Sequence, residues 1–163
     1  CTKNEEATKS MVNALFGNLT QIETGENYSN MSGTAKGQLV GGNLSLIYSL
    51  SGTPFDIDTT NKILFIEDLD EYLYHIDRMM MQLKLSGKLK GLKGLIVGGM
   101  TDMKDNAIPF GKFPEDIILD AVKEYNYPVC FDFPAGHIDR NLAMYFGREV
   151  ELTVSDNATL KFL

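Results

Sequence analysis

Residues Lys62 to Glu71 read "KILFIEDLDE", and they constrain this chain more than any other stretch. Four apolar residues, Ile63 to Ile66, run directly into Glu67 and Asp68. A strand with one wet face alternates apolar and polar residues, whereas a strand covered on both faces does not. The run therefore predicts an interior strand over 62–66, with a carboxylate at its end. "GLIVGG", 94–99, and "PVCFDF", 128–133, predict two more short buried strands. Between them the apolar spacing turns helical. Tyr72, Ile76, Met79 and Leu83 recur at four, three and four residues, and Gly87 closes a helix that begins near Asp70. Pro114 opens another helix reaching about Tyr125, in the first-turn position that suits proline.

The flanks complete the pattern. Thr2 and Glu5 have the spacing of a capping box, and a helix follows to about Phe16, stopped by Gly17. Residues 18–37 are polar and read as short strands and turns. A strand then reaches Gly41 and Gly42, and Asn43 caps a helix ending near Gly52. Two β segments, near Val150–Val154 and Leu160–Leu163, end the chain. Strands alternating with helices define an α/β class, with additional β structure at both ends. The 163 residues suffice for a single domain with a real core.

Composition removes several functions. The net charge of −7 argues against nucleic acid and anionic membranes, which need a concentrated positive surface. No run of 18 apolar residues marks a membrane span, and no apolar N-terminal region marks a signal peptide. There is no phosphate-binding loop, no dinucleotide-binding turn, no His-Glu-x-x-His and no Cys-x-x-Cys, so neither a cofactor nor a zinc site of common type is expected. Of the two cysteines, Cys130 sits in an apolar run and reads as a buried thiol. Cys1 is open to three readings: a lipidated residue, an N-terminal nucleophile, or the start of a fragment.

Two histidines remain. His75 lies one residue before the core-facing Ile76 and reads as a helix-surface residue. His137, in "FDFPAGHIDRN", follows the carboxyl end of a buried strand, where ligands and catalytic groups of α/β sheets collect. Glu67 has the same address on another strand. By itself it reads equally as a helix-capping or salt-bridging carboxylate. Together, a carboxylate on one imidazole nitrogen fixes the tautomer and leaves the other nitrogen as a general base. No serine completes a triad. Ser32 precedes Gly33 in a turn-rich segment, Ser45 and Ser49 lie in a helix, Ser86 ends one, and none occupies a strand-to-helix elbow.

Three ordered motifs, "GQLVGGNLSLIYSLSGTP", "KILFIEDLDEYLYHIDRMMMQLKLSGKLKGLKGLIVGG" and "PVCFDFPAGHIDRN", resemble the C-terminal domain of the LD-carboxypeptidase family of serine peptidases over residues 10–163. The resemblance implies a swivelling β/β/α domain. It implies a Ser-His-Glu triad in which Glu67 and His137 are the acid and the base, with the serine on a separate N-terminal domain. On that reading Cys1 marks the start of a fragment, inert by itself. The implied reaction is cleavage of the bond between an L-centre and terminal D-alanine of murein tetrapeptides, in cytoplasmic cell-wall recycling, commonly by a homodimer. A sister branch, of microcin-immunity type, cleaves a peptide–nucleotide antibiotic. The helix start "EDLDEYLYHIDRMMMQL" is more similar to the carboxypeptidase branch. Two departures are visible: "NLAMYFGREVEL" lacks the proline-containing segment that often follows Gly-His, and residues 18–36 match no known motif. A non-catalytic binding domain, with Glu67 and His137 as a structural pair, is a rival reading. Metal-assisted hydrolysis through His137, Glu67 and a nearby Asp is another.

Overall fold

The structure, a computed structural model, describes residues 4–163. Helix α1 spans Glu5–Leu15, and its N-cap is Asn4, whose Oδ1 accepts the Ala7 N–H at 3.1 Å. Thr2, expected to start a capping box, lies outside the described residues, as does Cys1. Strands β1 (Gln21–Glu23) and β2 (Gly33–Asn43) follow, then α2 (Leu44–Leu50), β3 (Ile63–Leu69), α3 (Leu73–Leu85) and β4 (Gly94–Thr101). Helix α4 (Pro114–Val122), β5 (Val129–Cys130), β6 (Glu149–Val154) and β7 (Ala158–Phe162) complete the order. The α/β class expected from the sequence is the one observed.

All seven strands form one sheet in the order β1-β7-β6-β2-β3-β4-β5. Strand β2 joins its two halves. Residues 33–38 pair antiparallel with β6, and residues 39–43 pair parallel with β3. From β2 to β5 the sheet is parallel; from β2 to β1 it is antiparallel.

Two cores lie on the two faces of the parallel half. On one face, Leu64, Ile66, Leu95 and Val97 pack against Leu44, Ile47, Ile76, Met80, Leu83 and Ile118 of α2, α3 and α4. On the other, Ile63, Phe65 and Ile96 pack against Val150, Leu152 and Leu160 of β6 and β7. A Cβ added at Gly94 would stand 3.1 Å from Leu152, which shows how closely β6 crosses β4. The antiparallel half therefore folds back over the parallel half, and the layers are β, β and α. Each fully buried Leu or Ile side chain contributes ~1.5–3 kcal/mol, so both faces of the apolar run in β3 stabilise the domain.

The boundaries differ from expectation in instructive places. Strand β3 continues through Asp68 and Leu69, so Glu67 stands inside the strand and not at its end. Helix α3 starts at Leu73 because Asp70 turns left-handed (φ 63°) and Tyr72 bridges Lys104 in extended form. Tyr72 is thus the N-cap and is 36% exposed, while Ile76, Met79 and Leu83 of the same expected stripe are buried. The helix closes as foreseen: Gly87 N–H reaches Lys84 O and Lys88 N–H reaches Leu83 O. Strand 128–133 shrinks to Val129–Cys130, because Asp132 takes φ 51° and breaks the extended run. Helix α4 stops at Val122, three residues early. Among the described residues no helix is long and apolar enough to cross a membrane.

Candidate active site

Glu67 and His137 meet. The imidazole Nδ1 lies 2.7 Å from Glu67 Oε2, and the His137 backbone N–H donates to the same oxygen at 3.2 Å. A carboxylate only accepts, so the Nδ1 proton sits on histidine and Nε2 is left as the basic nitrogen. The Glu67 side chain is 8% exposed and that of His137 is 53% exposed, so a buried acid presents a solvent-facing base. His137 shares an open hollow of about 640 Å³ with Leu69, Thr101, Asp102, Gly136, Ile138, Asp139 and Asn141.

The local fold explains why the pair forms across 70 residues. Strand β3 pairs with β4 through Ile66↔Val97 and then Asp68↔Met100, so a bulge at Gly98–Gly99 opposes Glu67. The loop after β5 passes over that bulge, with Gly99 N–H bound to Ala135 O at 3.0 Å. A Cβ on Gly98 would lie 2.4 Å from Ala135 O, and one on Gly99 would lie 2.5 Å from Ile138. Gly136 adopts φ 109°, and a Cβ there would meet Glu67 Oε2 at 2.8 Å. These glycines let the loop come close enough to lay His137 on Glu67.

Asp68 points to the other face and does different work. It is 3% exposed and accepts from Asn43 Nδ2 at 2.9 Å, Ser45 N at 2.9 Å and Ser45 Oγ at 2.7 Å. Asn43 Oδ1 in turn caps Leu46 N at 3.1 Å. The helix-capping carboxylate is therefore Asp68, serving α2, while its neighbour Glu67 serves His137. Sequence reading did not single out Asp68. Period-two alternation from the core residues Ile63 and Phe65 assigns Glu67 and Asp68 to opposite faces, and that signal was available.

The remaining candidates stay structural. Ser45 is held by Asp68, Ser49 Oγ donates to Leu46 O at 2.9 Å, and Ser86 Oγ donates to Leu83 O at 3.2 Å. His75, in the first turn of α3, binds Glu71 just before the helix, Nδ1 to Oε2 at 2.7 Å. Its i, i+4 spacing announced that pair, and the sequence reading overlooked it. Cys130 is buried, and burial pushes its thiol up to about 12, which leaves no thiolate for nucleophilic work. Among the described residues no three His, Cys, Asp or Glu side chains gather as a metal site would require. A second hollow, about 650 Å³, lies at the opposite ends of the strands, lined by Lys36, Lys90, Lys93 and Tyr127 among others, and holds no acid–base pair of this kind.

The β/β/α domain thus carries a buried carboxylate hydrogen-bonded to an exposed imidazole, near the carboxyl ends of its parallel strands. Residues 36–152 match the LD-carboxypeptidase C-terminal domain, and the chain belongs to that family. It is 38% identical over 132 residues to a probable murein peptide carboxypeptidase of Bacillus subtilis, covering 78% of this chain and 40% of that protein. It is 27% identical over 118 residues to the murein tetrapeptide carboxypeptidase of Pseudomonas aeruginosa, covering 72% and 38%. The fold matches the crystal structure of muramoyltetrapeptide carboxypeptidase from Oxalobacter formigenes with a TM-score of 0.87 at 24% identity, covering 98% of this chain and 55% of that one. It matches the microcin C7 self-immunity protein with a TM-score of 0.70 at 22% identity. The chain thus spans about half the length of these relatives, or less.

Proposed function

We propose that this domain supplies the base and its orienting acid to a serine carboxypeptidase that removes terminal D-alanine from murein tetrapeptides. The observation that carries the reading is the Glu67 Oε2 to His137 Nδ1 contact of 2.7 Å, made by a buried carboxylate and an exposed ring. The likeness to the Bacillus and Pseudomonas murein peptide carboxypeptidases supports the substrate class.

In this mechanism a serine on a companion N-terminal domain enters the hollow beside His137. Nε2 takes the hydroxyl proton as the oxygen attacks the carbonyl between the L-centre and D-alanine. Collapse of the tetrahedral adduct expels D-alanine, whose amine receives that proton from Nε2. Water then repeats the sequence on the acyl-enzyme. Glu67 stays ionised and stabilises the imidazolium that forms twice per turnover. No step calls for a metal or cofactor. The setting proposed is cytoplasmic murein recycling, by a dimeric protein.

The test is D-alanine release from a murein tetrapeptide by the protein carrying both domains, with a peptide–nucleotide antibiotic as the parallel substrate. Release of D-alanine that is lost in His137→Ala supports the carboxypeptidase reading. Cleavage of the antibiotic alone moves the chain to the microcin-immunity branch, and no cleavage of either favours a binding domain. The isolated 163 residues should be inert; measurable D-alanine release from them would sink the two-domain triad.

A further inference from the structure

Asn141 does something that the Glu67–His137 pair does not explain. Its Oδ1 accepts the Gly136 N–H at 3.1 Å, although Asn141 is itself exposed. The next residue, His137, gives its N–H to Glu67. Two consecutive N–H groups of the loop are therefore held by two side chains from different parts of the molecule. Gly136, at φ 109°, has a conformation that only glycine adopts freely, and it is the joint on which the imidazole hangs. The residues on either side of Asn141 are anchored. Arg140 forms a fork with Glu6 of α1 at 2.8 and 2.7 Å, and buried Leu142 donates its N–H to Pro134 O at 2.8 Å.

We propose that Asn141 is a positioning residue for His137. It holds Gly136 in its left-handed conformation, so that one Glu67 oxygen meets both the backbone N–H and Nδ1 of His137. The one Glu67 oxygen accepts both donors, at 3.2 and 2.7 Å, and that pairing depends on where the loop places them. Without the Asn141 acceptor, the Gly136 N–H turns to water and the glycine has wide freedom to follow it. The consequence for turnover rests on the function proposed above; the consequence for the imidazole does not.

The experiment is nitrogen-15-edited NMR of the imidazoles in the 163-residue chain, comparing the parent with Asn141→Ala and Asn141→Asp. Aspartate keeps an acceptor oxygen for Gly136 and replaces the amide donors with a negative charge. With two histidines in the chain, His75 is the internal control. The expected result is a single His137 tautomer, protonated at Nδ1, in the parent and in Asn141→Asp. Asn141→Ala should give a mixed tautomer and a Nδ1 proton exchanging roughly fivefold faster, the ratio expected for one net hydrogen bond. His75 signals should not move in either variant, and the melting temperature of Asn141→Ala should fall by only about 2–4 °C, the cost of one net hydrogen bond. In the two-domain protein, kcat for D-alanine release should fall by a similar factor in Asn141→Ala, with KM little changed, and recover in Asn141→Asp.

An unchanged His137 tautomer in Asn141→Ala overturns the proposal. So does an Asn141→Asp variant with a parent-like imidazole but uncorrected kcat, because the role would then lie in the neutral amide group and not in its acceptor oxygen. If the two-domain protein releases no D-alanine, the proposed function fails while the imidazole spectra still decide the role of Asn141.

Discussion

The chain holds two Glu–His pairs with the same Nδ1 to Oε2 distance, 2.7 Å, and they differ in everything else. Glu71 and His75 are four residues apart across the start of α3, and their side chains are 27% and 32% exposed. Their closeness in sequence, across the entry to one helix, brings them together. Glu67 and His137 are 70 residues apart, and exposure is divided between them, 8% for the acid and 53% for the base. That pair needs a strand, a bulge, a left-handed glycine and a returning loop. A short distance therefore does not identify a catalytic dyad. The feature that sets the second pair apart is a buried acid on a half-exposed imidazole beside an open hollow.

The largest effect should separate the two pairs outright. In the two-domain protein, His137→Ala should lower kcat for D-alanine release by on the order of 10⁶ and Glu67→Ala by on the order of 10⁴. His75→Ala should stay within about twofold of the parent, since no reaction step touches it. Comparable losses at His75 and His137 would break the comparison. The next effect is on stability. Asp68→Ala strips a buried carboxylate from Asn43 and Ser45 and should cost about 3 kcal/mol by urea denaturation. A third substitution tests the glycine joint. Gly136→Ala meets both the backbone penalty of φ 109° and a contact of 2.8 Å with Glu67, and should destabilise by ~1–3 kcal/mol while lowering kcat. Glu71→Gln, by contrast, should change stability by only about 0.3–0.5 kcal/mol, and less in high salt.

The smallest effect belongs to the surface. Asp120 is bracketed by Lys112 at 2.7 Å and Lys123 at 2.6 Å, and hydrogen bonds to those ammonium groups lower its pKa from 3.8 to about 2. A depressed carboxyl contributes stability above its unfolded pKa and loses it as pH falls through the folded value. Asp120→Asn should therefore flatten the acid limb of stability between pH 3.8 and about 2, slightly, with no change in the His137 imidazole spectrum. Circular dichroism across that range measures it.

Much of this contrast is legible in the sequence, for physical reasons that vary by element. Ile63 to Ile66 declared a two-sided strand because both faces are dry, and Asn43 declared a cap because its side-chain oxygen accepts an N–H only three residues ahead. His137 was visible from its place after a buried strand, and the order of three motifs pointed to the family. Less visible was the full length of β2, since "GTAKGQLVGGN" is rich in glycine and alternates weakly. The division of labour between Glu67 and Asp68 was hidden because adjacent acids look alike until the sheet sends them to opposite faces. The bulge at Gly98–Gly99 and the pin from Asn141 depend on contacts across the loop, and no local periodicity encodes those.

Strand β7 lies between β1 and β6, so the antiparallel layer has its middle member near residue 160, while one of its edges lies near residue 22. During synthesis the chain emerges from its amino end, and β1 must wait for some 135 later residues before it has a partner, as the pairing of Glu23 with Thr159 implies. The Leu152 and Leu160 faces that cover Ile63, Phe65 and Ile96 arrive last as well. A nascent chain is thus left with one bare side of its parallel strands until translation of this segment is nearly done, and ribosome pausing before residue 150 would prolong the exposure of that surface to chaperones and to neighbouring chains.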